Sequence, residues 1–134
     1  MTTLAEKNLK AGEEFLAANQ KLSGVITLAS GLQYKIINDG NGSKPKSSDT
    51  VSVHYSGRLS NGVEFDSSYQ RGRPASFRVT QVIRGWVEAL QLMSVGSKWE
   101  LYIPGKLAYG IQSVPPHIGP NQLLIFEVEL LEIK

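Results

Sequence analysis

At 134 residues, with 41% hydrophobic and 19% charged side chains, the chain is long enough for one domain with a real core and lacks the composition of a disordered segment. A net charge of +2, from 14 basic and 12 acidic residues, excludes the strongly basic surface expected of a general nucleic-acid binder, and zero cysteines exclude disulfides and thiolate zinc sites. No apolar run approaches the roughly 18 residues of a membrane span.

Residues 3–22 read as an amphipathic helix. Thr3 and Glu6 fit a capping box, and Ala5, Leu9, Gly12 and Leu16 form a thin apolar stripe that ends before Gly24. So thin a stripe points to a helical appendage or linker over residues 1–24, followed by a folded unit over 25–134. From Leu32 the period becomes two. Leu32, Tyr34 and Ile36 share one face, and Asp39-Gly40-Asn41-Gly42 breaks the strand. Val51, Val53, Tyr55 and Leu59 alternate with Ser52, His54, Ser56 and Arg58, which places His54 toward solvent. Asn61-Gly62 is a strong hairpin signal, and Val63-Glu64-Phe65 is its returning arm. A short strand follows at Ser76–Val79.

The segment from Val82 to Met93 is the one helix in this sheet-rich stretch, with Trp86, Ala89, Leu90 and Met93 on one face. Trp99, Leu101 and Ile103 then alternate with Lys98, Glu100 and Tyr102. Residues 104–120 hold four of the six prolines and read as a long, stiff loop. Leu124, Phe126, Val128 and Leu130 alternate with Glu127 and Glu129 in a final strand. The expected fold is α+β: a curved antiparallel sheet of five to six strands wrapped over one short helix, with an appended N-terminal helix.

The familiar catalytic signatures are missing. His54 and His117 are the only histidines, at no metal-ligand spacing, and no nucleophile elbow, phosphate loop or dinucleotide fingerprint is present. No metal and no cofactor is expected. Any activity must come from an apolar pocket with placed hydrogen bonds. Tyr55, Phe65, Phe77, Trp86, Tyr109 and Phe126 lie on separate elements and converge if the sheet curves. Periodicity alone favours plain core packing for them. Tyr109 in a loop before Gly110, and Asp66 at a strand end directly after Phe65, favour a cavity with a polar rim.

Five segments carry a resemblance. Val53-His54-Tyr55-Ser56-Gly57, Phe65-Asp66-Ser67-Ser68, Val82-Ile83-Arg84-Gly85-Trp86, Leu107-Ala108-Tyr109-Gly110 and Leu124 to Leu130 stand in the order and spacing of the FK506-binding proteins, the FKBP-type peptidyl-prolyl cis-trans isomerases. The match runs over about residues 30–133. The N-terminal helix and the loop from Ser113 to Asn121 most resemble the bacterial Mip-like (macrophage infectivity potentiator) branch. The resemblance implies an isomerase of Xaa-Pro bonds, with Trp86 as the floor under the proline ring. Tyr55, Phe77, Val82, Ile83 and Phe126 would be walls, and Ile118 a further substrate contact from the loop. Phe65 and Asp66 would face the residues flanking the prolyl bond. The Ile83 N–H and the Tyr109 hydroxyl would donate to substrate carbonyls, and Asp66 would set the local field beside Arg71.

Implied partners are proline-containing proteins or peptides and macrolides of the FK506 or rapamycin type, with no nucleic acid. Two departures stand out. Ala75 occupies a position where many members place an aromatic, which widens one side of the pocket, and His117 sits where an aliphatic residue is common. The same fold used as a non-catalytic binding module or chaperone for proline-containing segments is the alternative. The branch implies the periplasm or the cell surface, whereas the written N-terminus, which has no export signal, reads as cytoplasmic. The single short helix at 3–22 reads as too small for a large dimer interface, so a monomer is expected.

Overall fold

A computed structural model describes residues 2–134. The elements run α1 (Leu4–Asn19), β1 (Val25–Thr27), β2 (Gln33–Asn38), β3 (Thr50–Arg58), β4 (Glu64–Ser67), α2 (Ser68–Arg71), β5 (Ala75–Arg78), α3 (Arg84–Leu92), β6 (Lys98–Ile103) and β7 (Leu124–Ile133). The seven strands form one sheet in the order β1-β2-β6-β7-β3-β4, with β5 also paired to β3, and all pairings are antiparallel. The architecture is the expected α+β sheet over a short helix. The short β1, which pairs Val25–Thr27 with Lys35–Gln33, is an edge strand that the sequence pattern does not announce.

Alternation decides which face is inside. Val51, Val53 and Tyr55 of β3, Trp99, Leu101 and Ile103 of β6, and Leu124, Phe126, Val128 and Leu130 of β7 are buried on the inner face. They pack with Trp86, Ala89, Leu90 and Met93, the apolar stripe of α3 and its end. A helix this short draws most of its stability from that packing rather than from propensity. Its first turn lies so close to β6 that a Cβ on Gly85 would stand 2.7 Å from Ile103 Cγ2.

The outer face is also partly covered. Tyr102, Leu123 and Ile125 form a second apolar cluster under Phe15 and Leu16 of α1 and Val25. Tyr102, expected to alternate outward with Lys98 and Glu100, is therefore 95% buried, since it is only 5% exposed beneath the helix. Thr3 caps α1 by accepting the Glu6 N–H at 3.1 Å, one half of the expected capping box. The docked stripe keeps Ala5, Gly12 and Leu16 of the expected one but not Leu9, which is half exposed at 50%, and it adds Asn8, Phe15 and Asn19. Asn19 is buried and donates to Gln33 Oε1 at 2.9 Å, while Gln33 Nε2 donates to the Leu16 carbonyl at 2.9 Å. Gly12 gives the close approach: a Cβ there would already touch Leu123 at 3.5 Å.

Gly85 separates propensity from packing. In a free helix Gly→Ala is worth about 1 kcal/mol in favour of alanine. Here the added methyl would press on a buried β-branched side chain, and such overpacking costs roughly 1–3 kcal/mol. Urea denaturation of Gly85→Ala is expected to show net destabilisation; a gain in stability would show that α3 is free to move away from Ile103.

Candidate active site

The site begins with a break in the edge of β3. Thr50 to Val53 pair with Arg78 to Ala75 of β5, whereas Ser56 to Arg58 pair with Ser67 to Glu64 of β4. Between these stretches the chain leaves the sheet as the single turn α2, and Tyr55 loses its strand partner on that side. Ser68 replaces it. Its fully buried hydroxyl accepts the Tyr55 N–H at 2.7 Å and lies 3.3 Å from the Tyr55 carbonyl. The same oxygen lies 2.8 Å from His54 Nδ1. His54 lies on the outer phase of β3, as alternation predicts, but is half covered: α2 folds over it, and its ring stacks on Tyr69 at 4.6 Å.

Inside the break the aromatic rings converge. Trp86, only 4% exposed, meets Tyr55 at 5.2 Å, Phe126 at 5.3 Å and Phe77 at 5.6 Å between ring centres, each edge-on. Phe65 meets Phe126 edge-on at 5.5 Å. Gly57 makes room for that pair, since a Cβ would lie 2.6 Å from Phe126 and 2.7 Å from Phe65. Edge-to-face contacts of this kind are favourable beyond simple area burial. Together the rings wall a cavity of about 410 Å³. Val82, Ile83 and Gln81 complete its side at the start of α3, and Asp66 and Tyr109 stand at its rim. Among the described residues nothing accepts the Ile83 N–H, and the positive end of the α3 dipole lies at the same place.

The rim is a charged triad. The Tyr55 hydroxyl donates to Asp66 Oδ2 at 2.6 Å, and Arg71 donates to Asp66 Oδ1 at 2.7 Å and to the Tyr55 oxygen at 2.8 Å. The guanidinium also lies 5.5 Å from the Tyr55 ring centre. Burial pushes the Asp66 carboxyl upward, but the hydrogen bonds from Tyr55 and Arg71 together outweigh it and hold the group below its ordinary range. Burial, and then donation to Asp66, raise the Tyr55 hydroxyl. At neutral pH the rim therefore presents an ionised Asp66, a neutral Tyr55 and a cationic Arg71.

The residues singled out from sequence are brought together here, with one exception. Tyr55, Phe65, Asp66, Phe77, Val82, Ile83, Trp86, Tyr109 and Phe126 all line the cavity. Ile118 does not. It is buried in the main core and bridged to Val114 through reciprocal backbone hydrogen bonds of 2.7 and 3.0 Å. Ala75 pairs with Val53 in the β3–β5 ladder rather than lining the cavity. Gln81 lines the cavity unannounced, on a 3₁₀ turn whose period no sequence pattern reveals. Among the described residues, no three His, Asp or Glu side chains are grouped to hold a metal ion.

An apolar cage with a neutral hydroxyl, a free N–H and an ionised carboxylate around its mouth has the chemistry to hold a small apolar ring beside hydrogen-bonding groups. The sequence profile of the FKBP-type peptidyl-prolyl cis-trans isomerase family matches residues 41–131, and that of the domain amino-terminal to such isomerases matches residues 1–36. The chain belongs to the FKBP-type peptidyl-prolyl cis-trans isomerase family. It is 54% identical over 130 residues to an outer membrane protein MIP of Legionella longbeachae, covering 97% of this chain and 56% of that protein. The crystal structure of FkpA from Escherichia coli superimposes with a TM-score of 0.93 at 48% identity, over 97% of this chain and 61% of that one. A peptidyl-prolyl cis-trans isomerase structure from Pseudomonas syringae pv. tomato gives 0.91 at 39% identity, over 100% of this chain and 98% of that one. The chain spans about half the length of the curated relatives it matches.

The triad carries a pH signature. Because the native Asp66 carboxyl is held low, its contacts stabilise the fold above the unfolded carboxylate range, and that contribution is lost as pH falls through the native value. Denaturation midpoints of the wild type, followed from about pH 6 to about pH 2, should fall more steeply than those of Asp66→Asn. Parallel acid limbs would show that the triad contributes nothing to folding.

Proposed function

We propose that this chain catalyses cis–trans isomerisation of Xaa-Pro peptide bonds in proteins and peptides, with the proline ring seated on Trp86. The observation that carries the reading is the cavity itself: Tyr55, Phe77, Val82 and Phe126 wall it, and Asp66, Tyr109 and the Ile83 N–H stand at its mouth. Family membership supports the same reaction.

The chemistry needs no nucleophile. The barrier of about 18–20 kcal/mol is the amide resonance lost when the C–N bond twists, and the uncatalysed exchange takes roughly tens to hundreds of seconds. Resonance charges the carbonyl oxygen, and water stabilises that planar form. Transfer into an aromatic cage removes the water, so the planar state loses more than the less polar twisted one. Trp86 and Phe126 hold the ring while the Tyr109 hydroxyl and the Ile83 N–H engage carbonyls of the twisted geometry, binding the transition state better than the ground state. Asp66, fixed by Tyr55 and Arg71, shapes the field at the rim and transfers no proton.

The same cavity supports binding of macrolides of the FK506 or rapamycin type, which place a comparable ring in the cage. Residues 1–24 act as an appendage to the unit of 25–134. Phe15 and Leu16, the large apolar residues of α1 turned to the sheet, are already engaged by its Tyr102 and Leu123, which favours a monomer for this length of chain.

A prolyl-peptide isomerisation assay tests the proposal. Asp66→Ala and Tyr109→Phe should each lower kcat/KM by about fivefold or more, the effect of losing one placed hydrogen bond or its acceptor, and a rapamycin-type macrolide should inhibit the wild type. Full activity in both variants would remove the polar roles. A wild type that accelerates no Xaa-Pro peptide would remove the enzyme and leave a binding module.

A further inference from the structure

Tyr109 lines the cavity from the long 104–120 loop, outside every strand and helix. It sits on a turn, 39% exposed, and its position rests on the backbone around it. That backbone is held by the 119–121 segment and, behind it, by α1. In the turn, the Gly110 N–H donates to the Gly105 carbonyl at 2.8 Å, and the Asn121 N–H donates to the Gly110 carbonyl at 2.6 Å. A Cβ on Gly105 would lie 2.6 Å from the Asn121 carbonyl carbon, so the two backbones are in direct contact. Asn121 adopts a left-handed conformation with φ of 56° to make this approach.

On its other side the same segment is gripped by α1. Asn8 Nδ2 donates to the Pro120 carbonyl at 2.9 Å, and Asn121 Nδ2 donates to the Ala5 carbonyl at 3.2 Å. A Cβ on Gly119 would lie 3.0 Å from Asn8 Nδ2 and 3.7 Å from Leu4 Cδ2, so the fit is close. The far half of the helix is anchored separately, by Phe15 against Tyr102 and by Asn19 to Gln33. Residues 119–121 thus lie between a docked helix and the turn that bears Tyr109.

We propose that Asn8 and Asn121 are positioning residues for the isomerase site: through them α1 fixes the 119–121 segment, which holds Gly110 and so aims Tyr109 into the cavity. The inference rests on the isomerase reading and gives the N-terminal helix a part in catalysis, although none of its residues lines the cavity. Small displacements of a group that acts in the transition state are costly in rate, and a surface turn without such ties opens readily. The proline ring is gripped by the cage, so loosening Tyr109 should lower kcat more than it raises KM.

The test compares Asn8→Ala, Asn121→Gly and Phe15→Ala in the 134-residue chain. Asn121→Gly removes the side chain while keeping a residue that tolerates positive φ. Phe15→Ala loosens α1 where it does not touch the loop. kcat and KM are measured separately on a prolyl peptide, and amide hydrogen exchange is followed at Gly110 and Asn121. Both asparagine variants should lose about threefold to tenfold in kcat with little change in KM, and exchange at the two amides should quicken by a similar factor. Phe15→Ala should lower the thermal midpoint while kcat stays near the wild-type value. Unchanged kcat in both asparagine variants, or a loss of kcat that follows stability across all three, overturns the proposal. A wild type without isomerase activity overturns the functional reading instead; the tie from α1 to the turn then stands or falls on exchange, and unchanged protection at Gly110 in Asn8→Ala overturns it.

Discussion

The site depends on β3 having no single partner along its outer edge. A backbone N–H and carbonyl left unpaired in a buried sheet are costly, so a strand whose edge is split needs a substitute at the split. The Ser68 hydroxyl is that substitute for Tyr55. Because it satisfies the backbone locally, the chain can leave the sheet between β4 and β5, and Asp66 and Arg71 fall on the two sides of the resulting gap. The Tyr55 side chain, on the inner face, reaches through to both of them. One residue therefore joins the apolar wall to the charged rim, and the sheet irregularity is what places charge beside a cage that must itself stay uncharged.

The cage has its own costs. Gly57, Gly85 and the ring packing around Trp86 leave little freedom, and the Trp86 indole N–H is buried without a partner among the described residues. A buried unpaired donor is destabilising by roughly 1–3 kcal/mol. The rest of the core offsets it: Leu90 of α3 and Met93 just past its end are almost wholly buried against the sheet, so the helix that carries Trp86 at its first turn is held at its far end.

Much of this was legible in the chain. Period-two runs at Val51–Leu59 and Leu124–Leu130, the Asn61-Gly62 turn and the stripe from Trp86 to Met93 marked the sheet and its helix, because one face of each is buried and the other is not. The cavity residues were found through segments whose order resembles the family, and periodicity alone would have left the aromatics as core. What escaped was set by contacts between elements distant in sequence. The burial of Tyr102 and Ile125 depends on α1 docking on the outer face, and the polar stripe of Asn8 and Asn19 in that interface runs against the hydrophobic pattern used to find helices. The apolar Leu123 and Ile125, out of phase with their neighbours, were the available hint of a covered second face. His54 keeps the outward phase but is half covered because Tyr69 of α2 folds over it, and Ile118 is buried in the main core; neither is written in local periodicity.

The central claim is that the proline ring sits on Trp86 during turnover. It is tested most directly by nuclear magnetic resonance on the chain labelled with ¹⁵N at tryptophan, titrated with an Xaa-Pro peptide while exchange between the peptide's own cis and trans signals is followed. The Trp86 indole N–H should shift and broaden with the same concentration dependence as the acceleration of exchange. The Trp99 indole, stacked on Tyr34 and absent from the cavity wall, should stay in place. Accelerated exchange with an unmoved Trp86 signal, or a shifted Trp86 with no acceleration, would contradict the account.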